Sequence, residues 1–340
     1  MRYLVTGGCG FVGCNIAARL IERGEPVSVF DNMARAGTTE NLKWLQSLGA
    51  VDFIKGDTRE EGNVLQIVQK TKPDVIFHLA GQVAMTTSMQ DPRRDFGINV
   101  IGSFNLLEAV RRECAGATIV YSSSNKVYGE LAGLQLREEP LRYAAVNFPN
   151  GVDENAPLDF QTPYGCSKGA ADQYMLDYAR VFNLNTVVFR HSTIFGGRQF
   201  ATFDQGWVGW FCQQALETKR EPNRMPFTIS GDGKQVRDLL FVDDCVNCYL
   251  AAADKITQVR GQAFNIGGGM ANSSSLLELF EMLETELKVK LKYERLPWRH
   301  SDQKFFVANN AKAQSLLDWQ PRITKREGIL RTIEWARERI

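Results

Sequence analysis

A chain of 340 residues, 44% of them hydrophobic, is long enough to bury a sizeable core and to divide into two lobes. Its 40 Lys and Arg stand against 39 Asp and Glu for a formal charge of +1, so it lacks the charge excess of a nucleic-acid or membrane-surface binder. No apolar run approaches the ~20 residues of a membrane span. The first strand starts at the N-terminus, which leaves no stretch to read as a signal peptide. Seven cysteines are scattered without ligand-like pairing except Cys245 and Cys248, which fall in a predicted helix. The expectation is a cytoplasmic protein without a metal site.

Residues 2–6 contain Tyr3-Leu4-Val5, a short apolar run of the kind that forms buried parallel strands. It runs directly into Gly7-Gly8-Cys9-Gly10-Phe11-Val12-Gly13, and a helix is predicted over 12–23. Strand, glycine turn and helix in that order form a dinucleotide-binding context. Gly7 makes the tight turn, Gly10 lets the backbone approach a pyrophosphate, and Gly13 lets the helix pack on the strand. The helix N-terminus then offers free amides to the phosphates. A second strand, 27–30, ends in Asp31, where a carboxylate accepts hydrogen bonds from a ribose and repels a 2′-phosphate. That favours NAD over NADP, although Arg35 is a cation that can swing toward a phosphate. A third strand, 51–55, leads to Gly56-Asp57-Thr58, with Asp57 either a partner for the adenine amine or a helix-capping residue.

A fourth strand, 74–78, ends in His78, read as a buried structural histidine, and is followed by the small-residue turn Leu79-Ala80-Gly81. Asn99 is expected to open a helix with Leu106, Leu107 and Val110 at helical spacing. The fifth strand, 117–121, runs into Ser122-Ser123-Ser124, hydroxyls at the carboxyl end of a parallel strand, where open α/β sheets bind ligands. Residues 130–160 read as a long polar insertion beside the site. Then comes Thr162-Pro163-Tyr164-Gly165-Cys166-Ser167-Lys168. Pro163 suits a first helical turn, and the four-residue spacing puts Tyr164 and Lys168 on one helical face. A phenol beside an ammonium is a proton-transfer pair, because a neighbouring cation lowers the phenol pKa from its usual ~10. A sixth strand is predicted at 186–189. The β/α alternation to about residue 190 argues for a doubly wound parallel domain. The pattern then turns irregular, with tryptophans 207, 210, 298, 319 and 335 assigned mostly to the core.

The glycine turn, Asp31, the serine strand end, Tyr164 and Lys168 in this order resemble the extended short-chain dehydrogenase/reductase superfamily that modifies nucleotide sugars. Within it the chain looks closest to the CDP-paratose 2-epimerases, also called CDP-tyvelose 2-epimerases. The segments that carry this likeness are His78-Leu79-Ala80-Gly81-Gln82-Val83-Ala84-Met85-Thr86-Thr87-Ser88, Asn125-Lys126-Val127-Tyr128-Gly129, the helix from Tyr164, and the run from Arg198 through Gln205 to Phe211. The resemblance implies an α/β protein, an NAD-binding Rossmann domain over 1–190 with a returning segment near 238–265, and a smaller, discontinuous substrate domain over 191–340. It implies tightly held, recycled NAD, a CDP-linked hexose substrate and a homodimer or homotetramer. Tyr164 is then the acid/base, Lys168 its partner, and Ser124 the bridge to the sugar oxygen.

By the same resemblance Gly7, Gly10, Phe11, Val12, Gly13, Asp31, Asn32, Arg35, Asp57, Thr58, Leu79, Ala80, Gly81, Asn99, Ser122 and His191 line the cofactor with Tyr164 and Lys168. Ser124, Asn125, Thr193, Gln205, Arg237 and Arg299 face the substrate, the two arginines matching those that grip a diphosphate. Two departures bear on activity. Sugar-nucleotide 4,6-dehydratases carry an Asp-Glu pair where this chain has Asn125-Lys126, which disfavours elimination of water; and Thr193 stands where many relatives have asparagine. The competing expectations are a UDP-sugar 4-epimerase, a net NAD(P)-dependent reductase, and a non-catalytic NAD-binding regulator, since fold alone does not fix function.

Overall fold

The computed structural model describes residues 1–339. Its centre is a seven-stranded sheet in the order Gln262–Ile266, Asn185–His191, Thr118–Ser122, Val75–His78, Tyr3–Thr6, Val27–Asp31, Asp52–Lys55. Every pairing in it is parallel, with Thr6 opposite both Phe30 and His78. The chain starts in the middle, builds outward to one edge, then returns to build the other. The point of reversal lies between Tyr3–Thr6 and Val75–His78, and ligands of open α/β sheets bind beyond the strand ends at such a point.

Successive residues of a strand face opposite sides of a sheet, and the core divides accordingly. Val5, Phe77, Val120 and Phe189 pack with Ile16, Ala17 and Leu20 of the helix Phe11–Glu22 and with Cys245, Cys248 and Tyr249 of the helix Val242–Asp254. Leu4, Ile76, Ile119 and Val188 pack on the other side with Leu106, Leu107, Met175 and Tyr178. Strands covered on both faces are apolar at nearly every position, which is why the short runs are readable as buried strands.

Two expectations are corrected here. Asn99 does not open a helix: it lies in a π turn, Gly97–Ile101, between Pro92–Phe96 and Gly102–Glu113, inside one continuous helical stretch. Such turns recur at functional sites. Residues 130–160 are not a plain polar connection. They contain the hairpin Leu136–Glu138 and Tyr143–Ala145, which donates from the Tyr143 amide to the Lys234 carbonyl at 3.0 Å. Val152 of the same stretch joins a small core with Tyr128, Phe306 and Ala308. Of the five late tryptophans Trp319 is buried and Trp207, Trp210 and Trp335 pack half-buried against the main core, as expected for most of them, while Trp298 is 39% exposed.

The strand Val236–Phe241 pairs with Thr193–Phe195, Ser273–Ser275 and Phe305–Phe306, outside the large sheet. What returns to the large sheet is the helix Val242–Asp254, packed on its face, and the edge strand Gln262–Ile266. Among the described residues no helix is long and apolar enough to cross a membrane.

Candidate active site

The glycine turn is shaped by steric contact rather than by flexibility. Gly7 has φ +68°, and a Cβ there would lie 2.7 Å from the Ala80 nitrogen, so the turns after the first and fourth strands are pressed together. A Cβ on Gly13 would lie 2.3 Å from the Gly7 carbonyl oxygen, which seats the helix Phe11–Glu22 directly on the turn. Gly10 precedes that helix without a side-chain cap, and the first turn holds no acidic residue. The leading amides therefore face the cleft unpaired, as an anion site requires.

Asp31 ends the second strand with both carboxylate oxygens held, by the Cys9 amide at 3.0 Å and the Met33 amide at 2.8 Å. Burial raises its pKa, opposed by those two amides and by Arg35. Asp57 is held locally: Arg59 clasps it at 2.8 Å and holds its pKa down to about 2, and Asn32 donates to it at 2.9 Å. Its Oδ1 also accepts from the Arg59 amide at 2.9 Å, in the turn before the helix Glu61–Thr71. Gly7, Gly10, Phe11, Val12, Gly13, Arg35, Leu79, Gly81, Ser122 and His191 form the cleft wall. Of the other residues expected at the cofactor, Asn32 is exposed, Asp57 and Ala80 are half-buried, and Asp31, Thr58, Asn99 and Lys168 are buried.

Tyr164 stands in the first turn of the helix Thr162–Val181, with Pro163 before it. It is buried at the cleft wall, and burial pushes its phenol up to about 12, opposed by the Ser124 hydroxyl. Asp95 pushes the same way as burial, and Arg35 opposes it. Lys168 follows one turn along the same helix, and it too is buried. Its ammonium donates to the Ser122 carbonyl and lies 4.6 Å from the centre of the Tyr121 ring. Burial lowers the Lys168 pKa to about 8, with Asp95 and Asp172 pulling it back. Asn99 is likewise occupied: its amide donates to Ser167 Oγ at 3.0 Å, and its oxygen accepts from the Gln82 amide at 2.9 Å. Ser167 in turn donates to Asp95. This buried chain braces the helix that carries the Tyr164 and Lys168 pair.

His78 is fully buried between Thr6 Oγ1 at 2.7 Å and Ser103 Oγ at 3.0 Å, the structural role read from its sequence context. Burial, reinforced by Lys168, lowers its pKa to about 3. The folded form therefore refuses a proton that the unfolded chain accepts below pH ~6.5. The resulting loss of stability is about 2 kcal/mol between pH 6.5 and 5. Urea unfolding at pH 7 and pH 5 tests this: His78→Gln loses about 2 kcal/mol less than the parent over that interval. An identical pH slope in the two proteins refutes it. His191 bonds Ser122 Oγ through Nε2 at 3.0 Å, and burial lowers its pKa to about 3, so it lines the cleft as a neutral ring.

The cleft, about 420 Å³, continues from the glycine turn past Tyr164 into the C-terminal half. Arg237 pairs with Asp302 at 2.9 Å, and Arg299 donates to Ser230 Oγ at 3.2 Å while lying 5.3 Å from the Phe203 ring centre. Both line the wall, as do Ser124, Asn125, Thr193 and Gln205. Thr193 accepts from the Trp207 indole at 3.0 Å, and Asn125 donates to Gln303 at 2.6 Å. Sequence reasoning missed Lys126 and Asp302 as wall residues, together with Met85, Phe203, Trp207 and Trp210. Lys126 had a signal in the departure from the dehydratase pair. The aromatics looked like core.

Residues 3–267 match the sequence model of the NAD dependent epimerase/dehydratase family. The chain belongs to that family. It is 54% identical over 336 residues to the CDP-paratose 2-epimerase of Salmonella typhi, covering 99% of each. Against the UDP-glucose 4-epimerase of Mycolicibacterium smegmatis it is 30% identical over 339 residues, covering 100% of this chain and 99% of the relative. Among solved structures, the Thermus thermophilus UDP-glucose 4-epimerase in complex with NAD superposes with a TM-score of 0.82 at 28% identity, over the full length of both chains. NAD is the cofactor of this epimerase-family chain, and the cradle fits it. Gly7 and Gly13 leave no room for a side chain, Gly10 meets only the Gly7 carbonyl at 3.1 Å, and the Asp31 carboxylate stands beside the turn.

Proposed function

We propose that the chain is an NAD-dependent epimerase that inverts carbon 2 of a CDP-linked hexose, interconverting CDP-paratose and CDP-tyvelose. The near full-length identity of 54% to the Salmonella typhi enzyme carries this reading, against 30% for a UDP-glucose 4-epimerase. Bound NAD supplies a hydride acceptor that takes hydrogen from the sugar carbon and returns it. The protein does the rest. The glycine-turn amides hold the cofactor's pyrophosphate, and Asp31 accepts from its ribose.

Tyr164 takes the proton of the sugar hydroxyl and later returns it, while Ser124 holds the oxygen between them. A phenol is already protonated at neutral pH, and burial raises this one further, to about 12. It becomes a base when positive charge lies against it, and the protein keeps the Lys168 ammonium one turn along for that purpose. One Lys168 proton is engaged by the Ser122 carbonyl, and the others remain to orient the cofactor's ribose. The sugar passes through a 2-ketone, turns, and accepts hydrogen on its other face. Arg237 and Arg299 hold the diphosphate through that turn. Elimination of water is disfavoured, because the two residues after Ser124 supply no carboxyl group, and Asn125 is tied to Gln303.

We assign residues 1–190, with the return to the large sheet, to the cofactor and most of 191–340 to the substrate. Phe104, Tyr174 and Phe182 are exposed beside Tyr178 on two neighbouring helices. This aromatic face suits pairing across a two-fold axis, and light scattering on the purified protein reports whether a dimer or tetramer forms. Seven unpaired thiols suit a cytoplasmic location, which fractionation of the source cells checks.

The deciding experiment supplies a CDP-hexose deuterated at carbon 2, without added NAD, and follows the sugar by NMR. The expected product is the carbon-2 epimer with deuterium retained, since hydrogen is carried by bound cofactor. Exchange of deuterium with solvent defeats the mechanism. A fixed carbon 2 with inversion of a UDP-sugar at carbon 4 replaces the substrate assignment.

A further inference from the structure

We propose that Lys126 binds the sugar-side phosphate of the substrate's diphosphate and so seats carbon 2, rather than carbon 4, at Tyr164. The proposal rests on the carbon-2 reading above. Lys126 lies two residues beyond Ser124, its amide donating to Ser124 Oγ at 3.2 Å, and it lines the cleft. Its ammonium makes only long contacts, to the Ser301 carbonyl at 3.4 Å and to Asp302 at 3.7 Å. The same Asp302 oxygen is held more closely by Arg237, at 2.9 Å. Two cations therefore share one carboxylate, and an ammonium with three donors keeps capacity for an incoming anion.

The shape of a hexose supplies the rest. The diphosphate hangs from carbon 1, the direct neighbour of carbon 2, whereas carbon 4 is across the ring. An enzyme that reacts at carbon 2 has to hold the first phosphate close to its catalytic hydroxyls. Arg237 and Arg299 reach the cleft from the C-terminal half. Lys126 reaches it from the segment that carries Ser124. A carboxylate at this position would repel the phosphate that carbon-2 chemistry brings near.

Burial and Arg237 lower the Lys126 pKa to about 8, with Asp302 and Glu130 opposing them. A phosphate bound to the ammonium raises that value again. Binding just above the free pKa therefore takes up a proton.

The test uses the NAD-loaded protein and its Lys126→Met and Lys126→Arg variants, with CDP and CMP as probes in calorimetry. CDP carries the sugar-side phosphate and CMP lacks it. Lys126→Met is expected to weaken CDP by about tenfold or more. CMP affinity, NAD content and thermal midpoint should hold, and Lys126→Arg should retain most of the CDP affinity. Titrations in buffers of different ionisation enthalpy, just above the Lys126 pKa, should show proton uptake with CDP that the Met variant loses. Equal weakening of CDP and CMP, or no weakening of either, overturns the phosphate contact, as does proton uptake that persists without Lys126. If the wild type inverts carbon 4 of a UDP-sugar and leaves carbon 2 alone, the carbon-2 reading falls, and the CDP-to-CMP difference still decides the contact.

Discussion

Replacing Tyr164 with Phe lowers kcat for epimerisation by about 10²- to 10⁴-fold, the range removed with a positioned acid/base. The ring itself survives the change, so its packing against the cleft wall persists. NAD is expected to remain bound, as judged by the cofactor released on denaturing the purified variant. A variant that turns over at the parental rate ends the role assigned to Tyr164. A variant that loses NAD as well points to a structural task for the hydroxyl. This separates the epimerase reading from a binding-only protein, in which the phenol has no reaction to serve.

The largest expected effect on stability lies one turn beyond Lys168. Asp172 is fully buried and accepts from Arg190 Nε at 2.9 Å, Arg190 Nη2 at 2.8 Å and Ser123 Oγ at 2.7 Å. Arg190 also donates to the Tyr128 hydroxyl at 3.0 Å, which donates to Asn265 at 2.8 Å. Truncating one partner strands a charge inside the protein, so Asp172→Ala should cost about 3–5 kcal/mol in urea unfolding. Replacing both, as Asp172→Leu with Arg190→Met, should recover much of that loss, because no unpaired charge is left. A cost below about 1 kcal/mol for the single change contradicts the argument, since that is the range of exposed pairs. Activity should fall in the single variant too, because Asp172, through Ser123, anchors the helix of Tyr164 to the strand end that leads to Ser124.

These two sites differ in how far they are readable. Tyr164 and Lys168 announce themselves by a short spacing behind a proline, and Asp31 by its place at a strand end. Nothing near Asp172 in the chain points to Arg190 or Asn265, which are brought to it by the parallel sheet. The same limit applies to Lys168. Helical spacing puts it on the same face as Tyr164, as found, but the direction of an ammonium depends on the carbonyl of Ser122 and the ring of Tyr121. Arg59 folding back to clasp Asp57 is equally invisible along the chain.

What the chain determined by itself was the alternation of buried strands and helices, the turn built on Gly7, Gly10 and Gly13, and the placing of Tyr164 and Lys168 on one face of a helix. Those depend on local periodicity and on sterics within a few residues. Only the tertiary structure decided the burial of Tyr164, Lys168 and His78, the bracing of Asn99 by Asp95 and Ser167, the docking of the 136–145 hairpin on the C-terminal half, and the arrival of Lys126 beside Asp302. Each of these turns on burial and on partners far apart in the chain. Desolvation and charge pairing act through space, so no reading of neighbours along the sequence supplies them.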